Sequence, residues 1–297
     1  MKILSGRTLP QPCVLTVGKF EGIHRGHKAL IKKVVKMART RGVKSAVVAF
    51  SPHPNIVLTP NDNKYKPLFT QEERAFLLGN FGVDYLLEYP FDVHTMALSA
   101  QEFSAALYRD LQAKIVIAGE DFRFGNNREG TAACLPVAHV IKDYENISTS
   151  AIRALLDEET PQLTRAGQML GFPFFVMGQV KQGRKLGRGL GFPTLNLYPA
   201  VEKFLPKFGV YATQTNIGGH VFKGVTNIGL RPTVNAAETI PTIETHLFDF
   251  NADAYGRAIR IEFLHFIREE RKFPNFDALA VQIKKDAKIA ENIAIYE

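Results

Sequence analysis

With 297 residues, 45% of them hydrophobic, the chain is long enough for one large domain or two modest ones with real cores, which excludes a disordered or fibrous protein. Its formal charge of +8 favours anionic partners, a demand that phosphorylated small molecules meet as well as nucleic acid does. The apolar runs, such as Ser45 to Phe50 and Ile115 to Ala118, are strand-sized and far short of the roughly 18 residues that cross a bilayer, so no membrane partner is expected.

In chain order, Met1 to Pro12 lacks the apolar core and cleavage pattern of a signal peptide. Cys13 and Cys134 are too few and too far apart for a disulfide framework or a cysteine metal site, and a cytoplasmic location is the expectation. Short apolar runs then alternate with amphipathic stretches, the pattern of a parallel sheet with crossover helices. Strands are expected at Val14 to Val17, Ser45 to Phe50, Tyr85 to Glu88 and Lys114 to Ala118, with helices at His27 to Arg41, Thr70 to Phe81 and Ala100 to Leu111. Two more helical segments, Ile152 to Leu156 and Leu163 to Leu170, run up to Gly171 and Pro173, which mark a boundary between residues 1–171 and 172–297. Beyond it come short β-branched and aromatic runs: Phe174 to Val180, Thr194 to Leu197, Val210 to Thr215, His220 to Thr226, Thr242 to Leu247 and Arg260 to Arg268. They read as an antiparallel barrel or sandwich. A closing helix over Asn275 to Ala294 carries Phe276, Leu279, Ala280, Ile283, Ala287 and Ala290 on the face expected to pack on it.

The most informative segment of the first half is LTVGKFEGIHRGH, Leu15 to His27, where a strand enters a glycine-punctuated turn and then a helix. Gly18, Gly22 and Gly26 let the backbone approach a phosphate, and the free amides at a helix start attract negative charge. His24 and His27, three apart, project toward one region and can donate hydrogen bonds to a triphosphate. FSPHP (residues 50–54), GEDFRFGNNREG (119–130) and ISTSAIR (147–153) each follow a predicted strand or open a helix, which assigns them to the ligand-binding carboxyl edge of such a sheet. Ser148 and Thr149 supply hydroxyls and Arg153 a forked phosphate donor.

These segments resemble the N-terminal nucleotidyltransferase module of the bacterial bifunctional riboflavin kinase/FAD synthetase family, whose signature is GxFDGxHxGH. Here Glu21 replaces the usual aspartate, Lys19 lies inside the turn, and STSAIR stands where SSTRIR is common, so that Ala151 replaces an arginine while Arg153 is kept. The resemblance implies a Rossmann-like fold that adenylylates FMN with ATP. On this likeness His24, His27 and Arg153 are catalytic, and Gly18, Phe20, Gly22, Gly26, Asp121, Phe122, Asn127, Ser148 and Thr149 bind ATP and FMN.

In the second half, GQVKQGRKLGRGLGFPTLN (178–196) nearly imitates a P-loop, but Arg184 and Lys185 follow Gly183 where lysine then serine or threonine is required, so a Walker A reading is rejected. Thr194 and Asn196 are oxygen donors suited to Mg²⁺, and Glu244 is a lone carboxylate in a largely apolar run, suited to a general base. Together with GVYAT (209–213), GVTNIGLRPTVN (224–235), ETHLFDF (244–250) and AYGRAIRIEF (254–263), this stretch resembles the riboflavin kinase module of the same family. The likeness implies a barrel in which Gly187, Arg188, Gly191, Pro193, Thr194 and Asn196 bind ATP and flavin. Thr194 and Asn196 hold Mg²⁺ there, and Glu244 activates the riboflavin 5′-hydroxyl. Riboflavin, ATP, FMN and FAD are the implied substrates and products. A nucleic-acid reading, prompted by charge and by the likeness of IHRGH to a synthetase turn, fares worse: KMART (36–40) lies too close to serve as a second lysine loop, and no nucleic-acid module is present.

Overall fold

A computed structural model describes residues 1–58, 65–141, 147–183, 191–232 and 239–295. The chain packs as two units, Met1–Ser148 and Thr149–Glu297.

The first unit is built from β1 (Lys2–Ser5), β2 (Cys13–Gly18), α1 (Arg25–Thr40), β3 (Lys44–Ser51), α2 (Pro54–Leu58), α3 (Gln71–Asn80), β4 (Tyr85–Pro90), α4 (Val93–Ala97), α5 (Ala100–Arg109), β5 (Ala113–Gly119), a β6–β7 ribbon (Arg123–Phe124 and Gly130–Thr131) and β8 (Ala138–Ile141). Six of these strands form a parallel sheet ordered β1-β4-β3-β2-β5-β8. β2 and β5 are buried through most of their length and packed on both faces, Leu15 joining Phe103 and Leu107 in one apolar cluster and Val14 joining Val34 and Ala38 in another. Since β3 and β4 lie to one side of β2 and β5 to the other, the order reverses between β2 and β5, the place where open α/β sheets open a crevice at their carboxyl ends. The expected strands and helices are present; β1 and β8 are additional. Both are edge strands of four residues with no fully buried side chain, so neither has the apolar run that marks a buried strand.

The second unit opens with α6 (Thr149–Asp157) and α7 (Leu163–Leu170), followed by β9 (Phe175–Gln179), β10 (Leu195–Leu197), β11 (Gly209–Ile217), β12 (His220–Pro232), β13 (Thr239–Leu247), β14 (Ala258–Arg268) and α8 (Phe276–Glu291). The strands form an antiparallel sheet ordered β10-β13-β12-β11-β14-β9. Its ends meet where Lys181 bridges Asn196, with the Lys181 amide donating to the Asn196 carbonyl at 2.8 Å, so the sheet curls into a nearly closed barrel. Tyr211, Ile243, Ile261 and Phe263 fill the interior, where buried Thr213, Thr226 and Thr245 satisfy one another's hydroxyls at 2.7 and 2.9 Å. The expected pairing of an α/β unit with a barrel and a closing helix is therefore what the chain forms.

α8 covers the outer face at Val210, Ala212 and Val225 with Ala287 and Ala290. Phe276, expected on that face, is instead 62% exposed, because it is the first residue of the helix, before the turns that reach the strands. The face also carries a charge: Asp286 is 1% exposed and takes two hydrogen bonds from Arg268 Nε and one from its Nη2, with Gln282 donating a further one at 2.7 Å. Removing one member of such a pair strands the other. Asp286→Ala is expected to lower the stability of the second unit by about 3 kcal/mol, read as faster hydrogen exchange in β11 and β14 with β2 and β5 unchanged; unchanged protection in β14 would contradict it.

Candidate functional site

In the first unit, β2 ends at Gly18 and the chain turns through Phe20 and Ile23, both with φ of 42°, before His24 caps α1. A side-chain carbon on Gly18 would lie 3.2 Å from the Phe20 ring, so the ring folds back over bare backbone. α3 and α5 begin with capping boxes from Thr70–Glu73 and Ser99–Glu102, whereas α1 has no side-chain cap bond and no acidic residue in its first turn. Its amides and dipole therefore suit an anion. The His24 and His27 rings stack with centroids 3.9 Å apart, and Phe20 packs on His27 at 4.9 Å. Burial, then the charge of His24, holds the His27 imidazole well below its ordinary range, so it is neutral near pH 7. A neutral ring donates one hydrogen bond to a phosphate, and a bound triphosphate favours its protonation.

Glu21, which replaces the family's aspartate, is buried. Its carboxylate accepts the Leu68 amide at 3.0 Å and the Tyr65 hydroxyl, with His53 Nε2 at 3.3 Å. Lys19 Nζ donates to Asn55 Oδ1 at 3.2 Å. The turn is thereby tied to FSPHP, a link the sequence reading missed although it singled out both segments. After β5, neighbour of β2, Asp121 curls over Gly119 and Phe122 stacks on Phe124 at 5.2 Å. Asn127 is exposed in left-handed backbone with φ of 52°, a conformation asparagine tolerates. Gly22 is buried in the turn, Gly26 lies in the first turn of α1, and Ser148 is the exposed last residue of the unit.

Thr149 and Arg153 belong by packing to the second unit, where the Arg153 guanidinium lies 5.0 Å above the Phe204 ring. Strand register there carries the site: Asn196 of β10 pairs with Glu244 of β13, and Glu244 with Asn227 of β12. Cross-strand partners point to one face, so the three polar side chains stand in a row on the outside of the barrel. The row continues to Val210 and Arg268, where α8 is anchored. The Asn196 amide nitrogen donates to the Thr194 carbonyl at 3.4 Å. A side-chain carbon at Gly183 would lie 2.4 Å from that amide, so only glycine lets the loop pass. Thr194 is half-buried, Pro193 accepts a hydrogen bond from His246 Nδ1 at 2.9 Å, and Gly191 adopts a φ of 81°. Gly187 and Arg188 lie outside the described residues. Asn227 and Glu270 were not singled out from sequence; Asn227 Nδ2 donates to Glu270 Oε1 at 2.9 Å, and Gly229 leaves room for that carboxylate. Asn227 lies within GVTNIGLRPTVN and was legible there as a polar residue in a strand. The hydroxyl of Thr194 and the amide oxygen of Asn196 are hard-oxygen donors of the kind that fits Mg²⁺, and Glu244 pairs with Asn196 from the neighbouring strand.

Residues 7–159 match the FAD synthetase family and residues 170–294 the riboflavin kinase (flavokinase) family. The bifunctional riboflavin kinase/FMN adenylyltransferase of Escherichia coli strain K12 is 38% identical over 288 residues, covering 92% of this chain and 90% of that one. The protein of the same name from Bacillus subtilis is 36% identical over 286 residues, again 92% and 90%. A crystal structure described as a macrolide-efflux protein from Streptococcus pneumoniae has a TM-score of 0.86 at 30% identity, covering 99% of this chain and 100% of that one. Fold and matches define a class, two-module transferases of flavin cofactor synthesis. The chain belongs to the bifunctional riboflavin kinase/FMN adenylyltransferase family.

The neutral state of His27 has a measurable consequence. Below about pH 6.5 only the unfolded chain takes up this proton, so the group's contribution to stability is present above that pH and is lost as pH falls further. Its ring resonances should stay unshifted between pH 8 and pH 6 in an NMR titration of the ligand-free protein. A midpoint near 6.5 would contradict the packing described.

Proposed function

We propose that the chain phosphorylates riboflavin with ATP at the Thr194–Asn196–Glu244 site and adenylylates the resulting FMN with a second ATP at the His24–His27 turn, releasing pyrophosphate. The observation that carries this reading is the row Asn196, Glu244, Asn227, which stands a carboxylate between two amides beside a glycine-bared loop. Glu244 takes the proton of the riboflavin 5′-hydroxyl, whose oxygen attacks the γ-phosphorus of ATP as ADP leaves. Thr194 and Asn196 would hold Mg²⁺, which supplies charge neutralisation at the phosphates when bound. Gly187, Arg188, Gly191 and Pro193 are the further ATP- and flavin-binding residues of this reading.

At the other site a phosphate oxygen of FMN attacks the α-phosphorus of ATP, and no hydroxyl needs deprotonation. His24 and His27 donate to the triphosphate as charge builds on it, with the amides around Gly18, Phe20, Gly22 and Gly26 behind them. Ser148, Thr149 and Arg153 are further phosphate donors, and Asp121, Phe122 and Asn127 contact nucleotide or flavin. The functional boundary we propose, 1–171 and 172–297, differs from the packing boundary by α6 and α7, so ISTSAIR runs from one packing unit into the next. The basic charge serves phosphorylated substrates, with no nucleic acid or membrane among the partners and the cytoplasm as the location; among the described residues no helix is long and apolar enough to cross a membrane.

Two substitutions separate the reactions. Glu244→Gln should lower kcat for FMN formation by roughly 10² to 10⁴ while FAD formation from supplied FMN continues. His27→Ala should slow FAD formation by on the order of 10² to 10³ and spare FMN formation. Equal loss of both activities in either variant would point to folding rather than chemistry. Truncation tests the boundary: a 149–297 fragment should make FMN, while a 172–297 fragment, lacking the Leu156 and Glu159 carbonyls that hold Lys207, should unfold at lower temperature. Equal melting temperatures would show that α6 and α7 contribute nothing to the barrel.

A further inference from the structure

We propose that Glu21, His53 and Tyr65 form a clasp that positions the histidine turn for adenylyl transfer, making His53 and Tyr65 positioning residues for a reaction in which neither has been placed. The proposal rests on the reading of this turn as the adenylylation site and names what sets its geometry.

The turn needs such a device. Phe20 and Ile23, both buried and both carrying side chains, sit in left-handed backbone, a conformation that persists only where the surroundings fix it. Glu21 lies between them, 6% exposed, and is bonded by groups from distant parts of the chain. Its Oε1 accepts from the Leu68 amide, its Oε2 from the Tyr65 hydroxyl, and His53 Nε2 stands 3.3 Å from Oε2. The backbone amide of Asn55 donates to His53 Nδ1 at 3.2 Å, which places the ring proton on Nε2, facing the carboxylate. Tyr65 and His53 also stack, with ring centroids 4.6 Å apart, and the Tyr65 oxygen is 3.1 Å from His53 Nε2. One carboxylate thus gathers the turn after β2, the segment after β3 and the segment before α3. Its neighbour Phe20 packs on His27, and His24 follows Ile23 directly, so a shift of Glu21 moves both imidazoles. Aspartate, one methylene shorter, does not have the same reach; the longer side chain goes with this set of partners.

The test uses the full chain with FMN formation as an internal control. Tyr65→Phe keeps the ring stack and removes the hydroxyl. It should lower kcat for FAD formation from supplied FMN about tenfold, with the ATP KM changed less than about threefold and FMN formation unchanged. In a His27→Ala background the same substitution should have little further effect, because the turn it positions has lost its donor. His53→Gln should behave alike, and the double variant Tyr65→Phe/His53→Gln should lose less than the product of the two single losses. The proposal is overturned if Tyr65→Phe and His53→Gln leave FAD formation unchanged, if their effects persist in full without His27, or if FMN and FAD formation fall together. If His27→Ala itself leaves FAD formation intact, the site reading fails first and the clasp with it.

Discussion

Both sites depend on strand register. In the barrel Glu244 faces outward between Asn196 and Asn227 while its neighbours Ile243 and Thr245 are fully buried, so a slip of one residue in either pairing would turn the carboxylate into the interior. Thr226 and Thr245 are bonded hydroxyl to hydroxyl inside, and the same slip would leave both unsatisfied in an apolar core. The buried threonine ladder and the outward-facing polar row therefore specify one register from opposite faces of the same strands.

In the first unit the parallel sheet does comparable work through strand ends. β2 ends at Gly18, in register with Ala49 of β3, and Ala49 with Glu88 of β4, so the loops that follow these strands emerge along one edge. Between β2 and β5 the order reverses and the edge opens, and there the chain spends its glycines, its uncapped helix and its histidines. In the proposed function a clasp at Glu21 and a neutral, tightly packed His27 follow the same principle: groups that are to meet developing charge are fixed before the substrate arrives.

Much of this was legible in the sequence because the physics was local. Glycine turns after apolar strands and alternating runs identified the sheet, the barrel and the closing helix, and the motifs supplied the residues proposed for both sites. What was not legible is tertiary. β1 and β8 are short edge strands with no fully buried residue to impose a pattern. α6 and α7 read as the end of the first half, yet they pack with the second, a choice made by contacts such as Lys207 with Leu156 rather than by composition. Asp286 looks like an ordinary surface charge until its partner Arg268, 18 residues away, is placed beneath it. Glu21 was visible as a departure from the signature, but Tyr65 and Leu68, which hold it, lie more than 40 residues downstream.

In the proposed function one chain carries two chemically independent sites joined only by FMN passing between them. The most direct test mixes two inactivated chains, one Glu244→Gln and the other His27→Ala, with riboflavin, ATP and Mg²⁺. Neither variant alone should accumulate FAD from riboflavin at more than a small fraction of the wild-type rate, and the mixture should do so, with FMN appearing first. A mixture that makes FMN but no FAD, although the Glu244→Gln chain adenylylates added FMN, would show that the product of the first site does not reach the second through solution and would contradict the independence of the two sites.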